Sequence, residues 1–184
     1  MDVGSSLCSL GGVGKAHYFH TRNPDPDQSR RVTDDPFSTN ISWPNFHSGA
    51  NGDFQAVAIV APTHPVLADP DSPTGAIRFL PAHPHEGAVD APDDEPARVI
   101  ARGKSKVTGR SFNLAVAFEP STQGGPAVAQ STFHHFADYN WDTRLGCPSF
   151  VTEPPGNGMR TEQQALRDAH RYSVNVALWL AGVS

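Results

Sequence analysis

Glycine and proline constrain this chain more than any other feature: they cut it into short regular elements joined by loop. Its 16 glycines and 17 prolines make 33 of 184 residues, and each proline fixes φ and removes a backbone donor. The length suits one domain with a buried core. Apolar content of 38% and charged content of 18% are low for such a domain, which again assigns much of the chain to loop. The formal net charge is −5 and no lysine- or arginine-rich run occurs, so an extended nucleic-acid footprint is not expected. The longest apolar runs, "AVAIVA" (56–61) and "VALWLAGV" (176–183), fall far short of the roughly 20 residues of a membrane span. No basic segment followed by an apolar core opens the chain. Two cysteines, Cys8 and Cys147, make no disulfide framework. The expectation is a cytoplasmic protein that binds neither membrane nor nucleic acid.

Residues 15–54 are polar and aromatic, with turn signals throughout ("NPDPD", "DDP", "WPN", "SGANGD"). Order there depends on packing Tyr18, Phe19, Phe37, Trp43 and Phe46 onto something else. Strand-like runs follow at 54–61, 76–80, 97–103, 112–119 and 127–133, each rich in β-branched or aromatic residues and bounded by Gly, Pro or Asp. "HPVLADPDSPTG" (64–75) reads as a loop with one helical turn around Val66. Thr161 followed by Gln164 is a capping-box signature. Leu166, Ala169, Tyr172, Val176 and Leu180 then recur at helical spacing, predicting a helix over 161–181 with its apolar stripe on the sheet. Strands followed by one strong helix predict a single α/β or α+β domain over 1–184 with a mixed sheet.

Two histidine segments carry the candidate chemistry. In "PAHPHEG" (81–87) an extended backbone turns His83 and His85 to one face and Glu86 to the other. In "STFHHFADYNWD" (131–142) His134 and His135 follow a strand and point to opposite faces, with Asp138 close behind. One of that pair joining His83 and His85 gives three imidazoles, the ligand count of a catalytic zinc-type site that lowers the pKa of bound water. On that reading His83, His85 and His134 hold a divalent metal (zinc, manganese or iron), while Glu86, Asp138 and His135 act as base or orienting groups. The same histidines without metal make a polar pocket. Nine histidines in one chain also make chance pairs common, and many histidines only bridge loop backbones.

Other candidates carry less. Ser131 precedes the histidine pair and Cys8 sits in "SLCSLGG", but no G-x-S-x-G elbow occurs, and Cys8 and Cys147 read as packing residues. "GGVG" before Lys15 lacks phosphate-loop spacing. Trp43, Phe46, Tyr139 and Trp141 can line a sugar or acyl pocket, though covering a sheet is the commoner task. His17 and His20 read as backbone anchors, and Arg30, Arg31 and Arg144 as solvated or paired with aspartates.

Three stretches resemble one bacterial family. Asp2, Gly4, Ser6, Leu7 and Cys8 match its D-x-G-x-S-L-C stretch, His83 through Gly87 its H-x-H-E-G segment, and Ser131 through Asn140 its S-T-x-H-H-F-x-D-x-N segment. The chain is similar to the C-terminal part of that largely uncharacterised family, which has a class I glutamine amidotransferase-like fold related to trehalose-utilisation-type proteins. The resemblance implies an α/β fold of flavodoxin or amidotransferase type. Its mixed or mostly parallel sheet would have about five strands, with a C-terminal helix packed on it. The chain starts roughly where the family's nucleophile turn would end, so the implied sheet is truncated at its N-terminus, and its unprotected edge invites a homodimer. The function expected is a hydrolase acting on a small ester, lactone or amide, in which the histidines hold a metal or polarise the carbonyl. The competing expectation is a non-catalytic domain that binds a small molecule or serves a structural, oligomerising role.

Overall fold

The computed structural model describes Asp34 and residues 46–87, 89–91, 96–122, 124–146 and 152–183. Cys8, Lys15, His17, Tyr18, Phe19, His20, Arg30, Arg31, Phe37, Trp43 and Cys147 lie outside the described residues.

The framework is a β-hairpin. β4 (Ala97–Lys104) and β5 (Ser111–Phe118) pair antiparallel from Ala97↔Phe118 to Lys104↔Ser111. The sequence closes this hairpin locally. Ser105 Oγ accepts from the backbone N–H of Val107 and Thr108, each at 3.2 Å, and Gly109 takes φ +72° where an L side chain would be strained. β2 (Ala58–Ile59) pairs with β4 and β6 (Ala127–Gln130) with β5, giving the order β2-β4-β5-β6. A second, two-stranded sheet joins β1 (Phe54–Ala56) to β3 (Phe79–Pro81).

Every pairing in both sheets is antiparallel, which overturns the mostly parallel, flavodoxin-like sheet implied by the resemblance. The physical reason lies in the connections. Parallel neighbours need a crossover of a dozen or more residues, usually a helix. Here only residues 105–110 separate β4 from β5, and among the described residues the one long helix follows the last strand. The architecture is an antiparallel α+β one.

Among the described residues two short α-helices, α1 (Asp138–Trp141) and α2 (Gly158–Thr161), precede the long α3 (Gln163–Leu180). α3 begins one step later than its sequence signature. The Glu162 side chain, not Thr161, caps it, accepting from Gln164 N–H at 3.0 Å, because Thr161 Oγ1 donates back to the carbonyls of Asn157 and Gly158. Its inner face carries Ala165, Asp168, Ala169, Tyr172 and Trp179, while Leu180 is 45% exposed. Tyr172 lies in the main core with Leu67, Ile77, Leu80, Ile100 and Leu114, and stacks on Phe136 at 5.6 Å. Phe46 stacks on Phe112 at 4.6 Å in the same core, so its task is packing. Val116 and Phe118 of β5 join a smaller cluster with Val89. A 3-10 turn at Pro65–Leu67 carries Val66 and Leu67 into the main core. Among the described residues no helix is long and apolar enough to cross a membrane.

Candidate functional site

The site is assembled by a segment with no obvious motif, residues 46–53 ("FHSGANGD"). Phe46 and Glu86 exchange both backbone hydrogen bonds, at 2.9 and 2.8 Å, so this segment lies antiparallel to "PAHPHEG". Ser48 continues the pairing: its N–H donates to the His83 carbonyl at 3.1 Å and its Oγ accepts from His83 N–H at 2.9 Å. On the far side, Gly87 N–H donates to the Ser131 carbonyl at 2.7 Å. The two histidine segments are therefore neighbours, with 46–53 flanking the first of them. A turn from Ala50 to Asp53 places Gly52 at φ +88°, the position that demands glycine, and presents Asn51 to the site.

Alternation along the extended backbone drives Glu86 into the interior, where it is wholly buried. Its carboxylate accepts from Ser48 Oγ at 2.8 Å, Gln55 Nε2 at 2.5 Å and Ser131 Oγ at 2.5 Å. His135 Nε2 lies 3.8 Å from Glu86 Oε1, and its Nδ1–H donates to Gln130 Oε1 at 3.1 Å. Gln130 in turn donates through Nε2 to the Tyr172 hydroxyl, which burial pushes well above its ordinary pKa. Burial alone would raise the Glu86 carboxyl. The close approach of His135 and the Ser131 hydrogen bond outweigh that and hold it below the usual carboxylate range. Glu86 and His135 are wholly buried, and with Ser131 they belong to a closed internal network.

His83 and His134 are the pair brought face to face, their rings stacked at 3.5 Å with 20° between planes. His85, only partly buried, sits edge-on to His83 at 5.4 Å. Thr132 explains why His134 and His135 do not simply alternate. Its Oγ1 accepts from His134 N–H at 3.2 Å and starts a 3-10 turn over Phe133–Phe136, which buries both rings in different surroundings. Asp138 does not join them; it is exposed and its Oδ1 accepts from the N–H of Tyr139 at 2.8 Å. Trp141 is 41% exposed, and Arg144 pairs with Asp142 on the surface.

The hydrogen bonds assign opposite tautomers to the stacked rings. His83 Nδ1 accepts from His85 N–H at 3.0 Å, so the neutral ring carries its proton on Nε2. Tyr139 donates its hydroxyl proton to Asn51 Oδ1 at 3.1 Å, so His134 Nδ1–H donates to Tyr139 Oη at 2.5 Å and its Nε2 keeps a lone pair. Burial, then the neighbouring His134, pushes His83 down to about 3. Burial, more than any charged neighbour, pushes His134 down to about 4. Both rings are neutral throughout the physiological range.

A three-histidine metal centre does not fit this arrangement. Among the described residues no group of three or more His, Cys, Asp or Glu side chains is placed to hold an ion. A ligating histidine normally donates its second ring N–H to a partner, as His134 does, but His83 spends Nδ1 as an acceptor and is left with a donor at Nε2. Face-to-face stacking also runs the ring edges parallel rather than towards a common point.

Ser48, Asn51, Gln55, Gln130 and Tyr139 complete the site, and only Tyr139 drew attention in the sequence, as an aromatic. A second loop is tied to 46–53. His47 Nε2 lies 2.8 Å from Glu153 Oε1, Gly156 N–H donates to the Asn51 carbonyl at 2.8 Å, and Gly158 N–H to Asp53 Oδ1 at 3.0 Å. A methyl group at Gly156 would lie 2.2 Å from the Asp53 carboxyl. Gly156→Ala is therefore expected to lose about 1–3 kcal/mol of stability by forcing this loop away. Gly125→Ala, with nothing within 4 Å of the new methyl, serves as the neutral control in thermal melts.

No family model, no curated protein and no solved structure matches the chain.

Proposed function

We propose that this chain is a small-molecule-binding domain whose ligand is uncharged and is held at His83 and His134. The observation that carries this reading is the stacked pair itself: two imidazoles from distant segments, 3.5 Å apart, kept neutral by burial and fixed in orientation by Tyr139, Asn51 and the His85 backbone. A base this far below neutrality is a weak proton acceptor, since general bases work best with a pKa near the operating pH. That favours recognition over catalysis. The acidic net charge of −5 also suits an uncharged ligand better than a polyanion.

The test is a screen of small uncharged compounds by histidine-selective NMR. A ligand at this site moves the ring signals of both His83 and His134. Its affinity stays flat from about pH 5.5 to 8, because neither ring titrates there. A several-fold change in affinity across that window would sink the reading.

One observation favours a second reading. His134, with Nδ1–H held by Tyr139 and the lone pair left on Nε2, has the tautomer of a general base. The reaction would be hydrolysis of a small ester, lactone or amide, in which His134 Nε2 takes a proton from water while His83 Nε2–H polarises the carbonyl. Turnover that disappears in His134→Gln while ligand binding persists would favour this second reading. Binding without turnover across a panel of esters, lactones and amides would leave the binding domain.

A further inference from the structure

A cavity of about 480 Å3 lies between the two sheets, where β1 of the smaller one runs beside the end of β4. Small-molecule sites are commonly of this size. Part of its lining is apolar: Phe54 and Phe79, both half-buried, meet edge-on at 4.8 Å and pack on the cluster of Met159, Ala165 and Ala169. Ser48 and Gln55 line it too, both buried, and each is fixed by a hydrogen bond to Glu86, at 2.8 and 2.5 Å. Side chains held in this way make a cavity that is formed before anything enters it.

The rest of the lining carries charge: Lys104 and Lys106, both exposed, and Asp53, half-buried. Lys106 lies across Gly49, its Nζ 2.8 Å from where a methyl group on that glycine would sit. Among the described residues neither lysine side chain has an ion pair or hydrogen bond, although the chain holds 19 acidic residues against 14 Lys and Arg. Asp53 does not serve them; its Oδ1 accepts the N–H of Gly158 at 3.0 Å. Two lysines and one aspartate give this lining a charge of +1 in a chain of −5. A monoanion neutralises that charge. A dianion such as a phosphate ester leaves negative charge beside Asp53, and a neutral molecule gains nothing from the lysines. From this we propose that the cavity binds a small aromatic carboxylate, with its carboxylate at Lys104 and Lys106 and its ring on Phe54 and Phe79. The site shares no residue with the histidine pair and does not depend on the reading given above.

The test titrates the whole 15N-labelled chain with benzoate, benzamide, acetate and phenyl phosphate, and follows the backbone amides. Benzoate should move the amides of residues 54–56 and 104–106. It should bind about tenfold more tightly than benzamide, which lacks the charge, and than acetate, which lacks the ring. Raising salt from about 20 to 300 mM should weaken benzoate several-fold and leave benzamide unchanged. Benzamide binding as tightly as benzoate, or benzoate leaving those amides unmoved up to its solubility limit, would overturn the proposal. Phenyl phosphate binding more tightly than benzoate would overturn the choice of a carboxylate.

Two variants assign the charges. Lys104→Gln/Lys106→Gln should lose about tenfold in benzoate affinity with an unchanged thermal melt, because both side chains are exposed and unpaired among the described residues. Undiminished affinity there would remove the lysines from the site and sink the proposal. Asp53→Asn keeps an acceptor for Gly158 and removes the negative charge, so phenyl phosphate should gain several-fold relative to benzoate. An unchanged ratio would overturn the part given to Asp53 in selecting a monoanion.

Discussion

Glu86→Ala is expected to lower the unfolding free energy by about 3–5 kcal/mol, a large share of what a domain of this size possesses. The carboxylate is wholly buried and accepts from Ser48, Gln55 and Ser131. Removing it strands those donors and leaves His135 Nε2 without the charge it faces at 3.8 Å. The denaturant midpoint should fall with little change in slope, since the surface exposed on unfolding stays the same. Glu86→Gln keeps the volume but turns an NH2 group towards donors, so it should also destabilise, by less. A Glu86→Gln variant as stable as the parent would show that the network needs an acceptor oxygen and no charge.

The same residue sets part of the acid limit. Its folded-state pKa lies below the ordinary carboxylate value, so the unfolded chain takes up the proton first as pH falls. Stability from Glu86 is therefore complete above the unfolded value of about 4.3 and is lost as pH drops through the folded one. His83 and His134 act with the same sign at higher pH. They are held at about 3 and about 4 against an ordinary 6.5, so the unfolded state protonates them first, and stability falls from about pH 6.5 downward. Glu86→Gln should flatten only the lower part of this acid limb. His83→Asn should flatten the upper part.

How much of this was legible in the sequence depended on how local each feature is. The run at 97–103 and β4 begin together at Ala97, and the 161–181 pattern overlaps α3, because strand and helix periodicity are properties of neighbouring residues. Strand direction is not. The alternation of "FNLAVAFE" is the same for either sense of pairing, and the resemblance supplied the parallel expectation. The short link from Lys104 to Ser111 was the signal against it, since no crossover fits there.

The site follows the same rule. That His83 and His134 meet, and that Glu86 turns inward, depends on Phe46 bridging to Glu86 and Gly87 to Ser131, neither of which any local pattern announces. Ser48 and Asn51 were hidden in "SGANGD", which reads correctly as a turn; the turn also delivers the groups that fix the site. Asp138 looked like an orienting carboxylate from its spacing. The 3-10 turn that follows Thr132 sends it to the surface instead.

Asp168→Ala should cost about 3 kcal/mol and act at a different place from Glu86→Ala, the dock between α3 and the two-stranded sheet. Asp168 is 1% exposed on a face that helical spacing marks as core, where an unpaired carboxylate would be ruinous. It is satisfied because its Oδ2 accepts the backbone N–H groups of Arg78 and Phe79, at 2.8 and 2.9 Å, and its Oδ1 accepts from Gln164 Nε2 at 2.6 Å. The helix thereby hydrogen-bonds two amides at the start of β3, a strand paired among the described residues with β1 alone, and carries Ala165, Ala169 and Tyr172 into contact alongside. Hydrogen exchange distinguishes this from a general loss of stability. In Asp168→Ala the amides of Arg78 and Phe79 should lose protection beyond the global change, while those in the β4–β5 hairpin slow or quicken only with overall stability. Asp168→Asn retains one acceptor oxygen and should fall between the parent and the alanine variant. Uniform loss of protection across both sheets would mean that α3 docks through its apolar stripe alone, with Asp168 merely accommodated.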